Sequence, residues 1–254
     1  METPTPSFAK TTRPRLSRIL PRKRLFRRLE QHASRPIVWI SGPPGSGKTT
    51  AVASYLEERK LQTVWYQFDA GDADVATFSH YMGRAAPRKR KPLPVLKPER
   101  SLQLGLFTKQ YFRELYSRLK PPFVIVLDNY QDASDYSRFH EVVCDGLSEM
   151  PEGGRAMIVS RGEPPAQFAR LRASQYIDVV ERDVLALTQT EVRGLIRLNG
   201  RKNLPRETAQ QLYDQTSGWA AGVVLLMEGL HGNSAVNQAL DQSSEIVAPE
   251  TVFD

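Results

Sequence analysis

One glycine-rich loop holds the residues whose types and spacing point most directly to chemistry. Residues 42–49 read GPPGSGKT and satisfy the pattern G-x-x-x-x-G-K-[ST] of a phosphate-binding loop. In such a loop the backbone N–H groups form a concave anion site at a helix N-terminus. Lys48 then reaches the β- and γ-phosphates, and the Thr49 hydroxyl is suited to bind Mg²⁺. The sequence therefore predicts a nucleotide site formed by Gly42, Pro43, Pro44, Gly45, Ser46, Gly47, Lys48, Thr49 and Thr50.

Two further candidates stand where apolar runs end. The run PFVIVLD (residues 122–128) ends in Asp128, and RAMIVSR (residues 155–161) ends in Arg161. At the carboxyl edge of a parallel sheet Asp128 would be placed to bind Mg²⁺, although an aspartate at a strand end also serves as a helix cap. Arg161 is a candidate sensor of the γ-phosphate, and its ordinary alternative is a surface ion pair.

These residues need a parallel sheet to bring their loops to one edge. Strands that are apolar throughout and alternate with helices indicate such a sheet, covered on both faces. The fold class predicted is α/β: a P-loop NTPase with a five-stranded parallel sheet flanked by helices, followed by a small all-helical domain. The strand-like runs are residues 36–41, 63–68, 122–128, 155–161 and 175–181.

The helical patterns between and after these strands have recognisable boundaries. One helix is expected to begin at Asp74, whose carboxylate can cap it, and to end near Ala85. Apolar residues at helical spacing predict another over residues 102–119. Beyond residue 182 the strand signals stop, and Thr188 and Glu191 stand at the spacing of a capping box.

The net charge of +7 is concentrated in two segments. Residues 1–28 carry nine Lys or Arg and one acid, and residues 84–100 carry seven and one, so the rest of the chain is acidic. We expect a solvated tail and a loose loop without apolar anchors; the alternative is a pair of nucleic-acid-binding arms. Cys144, the one cysteine, excludes an internal disulfide, is expected to be buried, and suits a reducing cytoplasm.

Five motifs in order complete a recognisable pattern. They are RILPRKRLFRRL, ISGPPGSGKTT, FVIVLDNYQ, IVSRGEPPAQFARLRA and TSGWAAGVVLLMEGL. With them the chain resembles the N-terminal nucleotide-binding part of the large, MalT-type ATP-binding LuxR transcription regulators, which belong to the signal-transducing STAND class of P-loop ATPases. The resemblance extends from about Arg15 to the end of the chain.

The resemblance implies an ATP/ADP switch: a closed ADP form that inducer and ATP open, followed by self-association. It also implies that Arg161 lies beside the phosphates, on a strand between the phosphate-loop strand and the Asp128 strand. Arg22 and Arg24 match a segment that helps to hold the adenine in related ATPases. Trp219 belongs to a helical-domain motif near the base, although Ala220 stands where the family often has proline, and Trp219 has core packing as its alternative role.

Two departures from the family pattern matter for function. After Asp128, family members commonly have a second acid followed by Tyr-His, whereas this chain has Asn129, Tyr130 and Gln131. Asn129 cannot act as a general base, but it can orient a water molecule, so slow or conditional hydrolysis is expected. The chain also stops at PETVFD, where the family continues into winged-helix, sensor and DNA-reading domains. We therefore expect a piece of a longer regulator, whose inducer and DNA would bind only through domains missing from this chain.

The domain boundaries expected follow from the same comparison. They are a basic segment that contributes to the nucleotide site (residues 1–31), a nucleotide-binding domain (32–183), a helical domain (184–243) and the start of a winged-helix domain (244–254). The leading hypothesis is a cytoplasmic nucleotide-dependent switch without membrane or sequence-specific DNA contacts of its own. The alternative is a true P-loop enzyme, either a small kinase or a constitutive ATPase, and a nucleic-acid-binding ATPase is the third reading.

Overall fold

Five parallel strands form one sheet, as the sequence predicts. The computed structural model describes residues 9–69, 72, 74–87, 89, 92–96, 103–133, 137–200 and 205–229. The strands in these ranges are β1 (Ile37–Ser41), β2 (Gln62–Gln67), β3 (Phe123–Asp128), β4 (Gly154–Ser160) and β5 (Ile177–Val180). They are ordered β2-β3-β4-β1-β5 across the sheet. All six residues of β3 are buried, which its uninterrupted apolar sequence requires in a sheet covered on both faces.

Ten α-helices accompany the strands within the described ranges. They are α1 (Lys23–Gln31), α2 (Lys48–Glu58), α3 (Val75–Ala85), α4 (Leu104–Tyr116), α5 (Ser137–Ser148), α6 (Ala169–Ala173), α7 (Arg182–Leu185), α8 (Gln189–Leu198), α9 (Arg206–Thr216) and α10 (Ala220–Gly229). Both predicted caps are confirmed. The Asp74 carboxylate accepts a hydrogen bond from the Thr77 N–H at 2.8 Å, and Thr188 and Glu191 form the reciprocal capping box of α8. No helix in the described ranges is long and apolar enough to cross a membrane.

The chain divides into two compact units. The sheet unit comprises the described residues of Met1–Pro14, Arg28–Ser41 and Leu56–Val180, and the helical unit comprises those of Arg15–Arg27, Gly42–Tyr55 and Glu181–Asp254. The phosphate-loop sequence therefore belongs to the helical unit, together with α7 to α10. The expected start of a winged-helix domain, residues 244–254, lies outside the described residues.

Aromatic packing fixes the turn that follows β3 in the sheet unit. Phe68 meets the ring of Tyr130 at 5.3 Å between centroids, and Tyr130 in turn meets Trp39 at 5.3 Å. The Tyr130 hydroxyl is also 2.8 Å from Nδ1 of His140 on α5. Because Tyr130 is held on several sides, Asn129, which stands between it and the end of β3, has a fixed path.

The helical unit has a small apolar core of its own. Leu187, Val192 and Ile196 pack there with residues from α9 and α10, among them Leu212 and Val223, which are fully buried. This packing places the beginning of α10 in a defined position within the unit.

The described residues of the two basic segments differ from the solvated tail and loose loop expected. Lys10 forms ion pairs with Asp69 at 2.9 Å and with the buried carboxylate of Asp72 at 2.8 Å. In the second segment, Leu93 and Leu96 pack against the core of the sheet unit. The expectation that this segment lacks apolar anchors is therefore wrong for its described residues, because leucines placed between prolines supply those anchors.

Candidate nucleotide-binding site

The glycine-rich loop has the context that a phosphate-binding loop requires. β1 ends at Ser41, the loop follows, and α2 begins at Lys48. Gly45 and Gly47 have positive φ angles of 68° and 80°, a backbone region that glycine adopts without a steric penalty. The prediction of a strand, a glycine turn and a helix N-terminus is therefore confirmed.

Lys48 and its neighbours lie within this loop as expected. The Lys48 ammonium donates hydrogen bonds to the carbonyl oxygens of Gly42 at 2.6 Å and Pro43 at 2.8 Å, so it lies over the loop backbone. The Ser46 hydroxyl donates to the Pro43 carbonyl at 2.9 Å. Thr49 and Thr50 occupy the first turn of α2, Thr49 half-buried and Thr50 exposed. The N-terminus of α2 therefore carries the ammonium group of Lys48 and the hydroxyl groups of Thr49 and Thr50, and Ser46 adds a third hydroxyl in the loop.

The beginning of α10 holds the loop through two hydrogen bonds. The indole N–H of Trp219 donates to the Pro44 carbonyl at 2.9 Å, and the Ala221 N–H donates to the Gly45 carbonyl at 2.9 Å. The two chains approach so closely that a Cβ on Gly45 would lie 2.5 Å from the Cβ of Ala221. Only glycine fits at this point of the loop.

The first of these hydrogen bonds also sets the direction of one loop amide, that of Gly45. In a planar trans peptide the C=O and N–H groups point in opposite directions. The Pro44 carbonyl points to Trp219, so the Gly45 N–H points away from it. Two glycines with positive φ angles followed by a lysine at a helix N-terminus fit a bound phosphate. Trp219 itself is only 6% exposed, so it is a buried core residue and also contacts the loop.

Arg22 and Arg24 lie against the connection between α7 and α8. Their guanidinium groups each donate to the Ala186 carbonyl at 2.9 Å. Each also pairs with one carboxylate oxygen of Glu191, at 3.3 Å from Arg22 and 3.4 Å from Arg24. The structure therefore shows a structural role for both arginines within the helical unit, and their contribution to an adenine site stays a prediction.

Glu191 links the capping box of α8 to these arginines. Burial alone would raise the pKa of its carboxyl group, but the hydrogen bond from the Thr188 N–H and the charges of Arg22 and Arg24 outweigh that effect and lower it. Burial lowers the pKa of Arg22, although the Glu191 charge acts in the opposite direction. This ionic cluster joins Arg22 and Arg24 to the start of α8 within the helical unit.

The ends of β3 and β4 carry the other predicted residues. Asp128 is 1% exposed at the end of β3 and accepts a hydrogen bond from the Asn129 N–H at 3.0 Å. Asn129 adopts a left-handed backbone conformation with φ of 54°. β4 ends at Ser160, and Arg161 follows it as an exposed residue. β4 pairs with both β1 and β3, so the strand order implied by the resemblance is confirmed.

Two residues to which the sequence assigns no role in the site hold the backbone around Arg161. The side-chain oxygen of Gln131 accepts a hydrogen bond from the Arg161 N–H at 3.1 Å, and the Trp39 indole N–H donates to the Gly162 carbonyl at 2.9 Å. Gln131 thereby ties the turn after Asp128 to the end of β4. In the sequence, the one feature that could have indicated this role of Gln131 is its position two residues after the Asp128-Asn129 pair.

The predicted site residues therefore fall into two sets. The loop residues, Trp219 and the two arginines belong to the helical unit, whereas Asp128, Asn129 and Arg161 belong to the sheet unit. No cluster of three or more potential metal ligands of the His, Cys, Asp and Glu types occurs in the described parts of the chain. Mg²⁺ does not need one, because it takes one or two protein oxygens together with phosphates and water. The Thr49 hydroxyl and the Asp128 carboxylate are oxygen donors of the kind that it prefers.

A comparison with protein families identifies the chain. A family model described as Nephrocystin 3, N-terminal, matches residues 17–161, more than half of the chain. The chain belongs to this family. The matched range of the nephrocystin 3 N-terminal family includes the loop, Asp128 and Arg161.

Curated relatives confirm the resemblance to MalT-type regulators. The chain is 26% identical over 249 residues to the HTH-type transcriptional regulator MalT of Vibrio cholerae serotype O1. The aligned region covers 93% of this chain and 27% of that protein. It is 28% identical over 240 residues to MalT of Cronobacter sakazakii, and this aligned region covers 91% of this chain and 26% of that protein. The chain thus spans about a quarter of the length of the curated relatives it matches.

Solved structures confirm the fold. The ORC1 protein of Aeropyrum pernix, determined in complex with DNA, matches with a TM-score of 0.56 and 15% identity over 87% of this chain and 62% of that chain. The Walker-type ATPase paby2304 of Pyrococcus abyssi matches with a TM-score of 0.52 and 11% identity; the match covers 88% of this chain and 71% of that chain. The fold is that of the P-loop NTPases.

Proposed function

We propose that this chain is the nucleotide-binding switch module of a transcription activator and that it binds ATP and ADP with Mg²⁺. The observation that carries the proposal is the glycine-rich loop between β1 and α2, with Lys48 over its backbone and with its Pro44 and Gly45 carbonyls held by Trp219 and Ala221. The similarity to the MalT regulators supports the regulatory part of the proposal. It also supports a location in the cytoplasm.

Each predicted residue has a role in this proposal. Lys48 and the loop amides hold the phosphates, and Thr49 and Asp128 hold Mg²⁺, which when bound neutralises phosphate charge. Arg161 reads the γ-phosphate, so that ATP and ADP are distinguished. Trp219, Arg22 and Arg24 support the side of the site nearest the base.

A switch that turns over slowly agrees with the turn after β3. Asn129 has an amide where a second carboxylate would be needed to accept a proton from water. Its left-handed backbone and the hydrogen bond of its N–H to Asp128 hold it in a defined place, where it can orient water. We propose weak or conditional hydrolysis, with the state of the switch set mainly by nucleotide exchange.

The alternative of a P-loop kinase or constitutive ATPase has less support. A kinase needs an arginine-rich lid that closes over a second substrate, and the basic segment of residues 84–100 is the part of the chain whose composition could supply one. Leu93 and Leu96 pack this segment against the sheet-unit core, which opposes such a movement. The contact of α10 with the phosphate loop is explained by a switch and has no role in a kinase.

The wider cycle follows the MalT-type regulators. Inducer and ATP would favour the open form, which would self-associate, and the inducer and DNA would act through domains beyond this chain. These steps belong to the whole regulator.

Nucleotide titration tests the proposal. Calorimetry with Mg-ADP should show one site, and Lys48→Ala should lower the affinity at least about tenfold because a charge-assisted contact is lost. Lys109→Ala, a matched change at an exposed lysine on α4, should leave it unchanged. Absence of nucleotide binding would refute the proposal, and rapid sustained ATP turnover by the chain alone would favour the enzyme alternative.

A further inference from the structure

A cavity in the sheet unit has no part in the proposed nucleotide site. It measures about 330 Å³ and lies between one face of α3 and the basic, proline-rich segment. Ala76, Ser79, His80 and Gly83 line it from α3, and residues 92–96 (PLPVL) form the opposite wall. Lys89 and Arg118 complete the lining. All of these residues belong to the sheet unit.

The proline-rich wall of the cavity is anchored. The side chain of Leu93 packs against Gly83, where an added Cβ would lie 3.1 Å from its Cδ1 atom. Leu93 and Leu96 both contact the sheet-unit core, whereas Val95 between them is 72% exposed. The Lys89 ammonium donates to the Ser117 carbonyl at 2.6 Å, which fixes the start of the wall. The cavity is therefore built by the fold and does not depend on a loose loop.

The charge of the lining has one sign. Of the residues that the structure places around the cavity, Lys89 and Arg118 are cationic, and none is acidic. The Arg118 side chain is only 4% exposed and pairs with Glu114 at 3.5 Å. A cationic lining beside proline, leucine and valine combines charge attraction with apolar contact.

We propose that this cavity binds a small organic anion, in which a carboxylate or phosphate group is joined to a compact apolar body. The anionic group would face Arg118 and Lys89, because a guanidinium presents a planar set of donors that matches either oxyanion. The apolar body would contact Pro92 to Leu96. The cavity volume is at the lower end of the range for small-molecule sites, which excludes a large ligand. A ligand here would give the module an input separate from its nucleotide.

Ligand-observed ¹⁹F NMR on the full chain tests this proposal. The probes are 4-fluorobenzoate and 4-fluorophenyl phosphate, with neutral 4-fluorobenzamide as the uncharged comparison. Both anions, or one of them, should bind at millimolar concentration at least about tenfold more tightly than the amide, as expected when a charge-assisted contact is gained. The anion that binds more tightly identifies which oxyanion the cavity prefers.

Charge-reversal variants at exposed lining positions locate the binding. Val95→Glu and Ala76→Glu each add a carboxylate on opposite walls without removing a buried contact, and each should weaken anion binding about tenfold. Leu106→Glu makes a similar change at an exposed residue outside the cavity and should have no effect. Circular dichroism checks that all three variants fold.

Three outcomes would overturn the proposal. They are no binding of either anion, equal binding of the amide, and equal affinity in Val95→Glu and Leu106→Glu. Equal affinity in these two variants is also the result expected if the anion binds at the phosphate loop, because neither substituted position belongs to that loop. Failure here leaves the nucleotide proposal intact, because its test uses Mg-ADP and Lys48.

Discussion

The contact between Trp219 and the phosphate loop gives the most discriminating prediction. Trp219→Phe keeps an aromatic ring in the core of the helical unit but removes the indole N–H, which donates to the Pro44 carbonyl at 2.9 Å. The second hydrogen bond, from the Ala221 N–H to Gly45, stays in place. The substitution therefore loosens one of the two peptides whose orientation the site needs.

The expected magnitude follows from that single hydrogen bond. Its net contribution is about 1 kcal/mol, because water can reach the half-buried Pro44 carbonyl in its place. If the loss falls on the loop conformation that binds phosphate, affinity for ADP drops about fivefold. The smaller ring also leaves a small void, so the free energy of unfolding should fall by about 1–2 kcal/mol.

Trp65→Phe is the matched control for this measurement. Trp65 is 2% exposed on β2, and its indole nitrogen has no hydrogen-bond partner among the described residues. The control removes the same ring volume and the same N–H, but at a site in the sheet unit. Calorimetric titration with Mg-ADP should show weaker binding for Trp219→Phe and unchanged binding for Trp65→Phe. Equal ADP affinity in the two variants would refute the reasoning.

Three further predictions address the other contacts. Glu191→Gln should lower the free energy of unfolding by about 2 kcal/mol at neutral pH, since it leaves buried arginine charge without its carboxylate. The folded-state pKa of Glu191 is below its ordinary 4.5, so the difference in unfolding free energy from the unsubstituted protein is full above pH 4.5 and disappears as the pH falls through the lowered pKa. Urea unfolding at several pH values measures this difference. Gln131→Leu should weaken ATP binding about threefold without changing ADP binding, because it frees the backbone of Arg161, and Gln131→Glu should restore it; equal losses for both nucleotides would contradict this positioning role. Asn129→Asp should raise ATP hydrolysis about 100-fold by supplying a proton acceptor, as followed by phosphate release, and an unchanged rate would show that the missing base is not what limits turnover.

The parts of the fold set by local patterns could be predicted from the sequence. Apolar runs gave all five strands, and the capping residues Asp74 and Thr188 marked helix starts correctly, because both signals act over a few neighbouring residues. The phosphate loop could be predicted equally well, because its positive φ angles require glycine at defined positions. Cys144 is buried as expected, and burial raises the pKa of its thiol to about 12.

The contacts that connect distant parts of the chain could not be read in this way. The Trp219 indole bonds to a carbonyl 175 positions away, and Arg22 pairs with Glu191 across 169 positions. Such partners depend on how helices pack, and no local spacing encodes them. The basic segment was misjudged for a related reason: composition gives its charge and prolines, whereas the anchoring of Leu93 depends on Gly83 of another element.

The central claim is that this chain is a nucleotide switch, and the nucleotide carried by the purified protein tests it most directly. Acid extraction and chromatography identify that nucleotide, and the rate of phosphate release after addition of Mg-ATP then gives the turnover. The account predicts near-stoichiometric ADP and almost no sustained hydrolysis. Rapid, continuous hydrolysis without any inducer would contradict it.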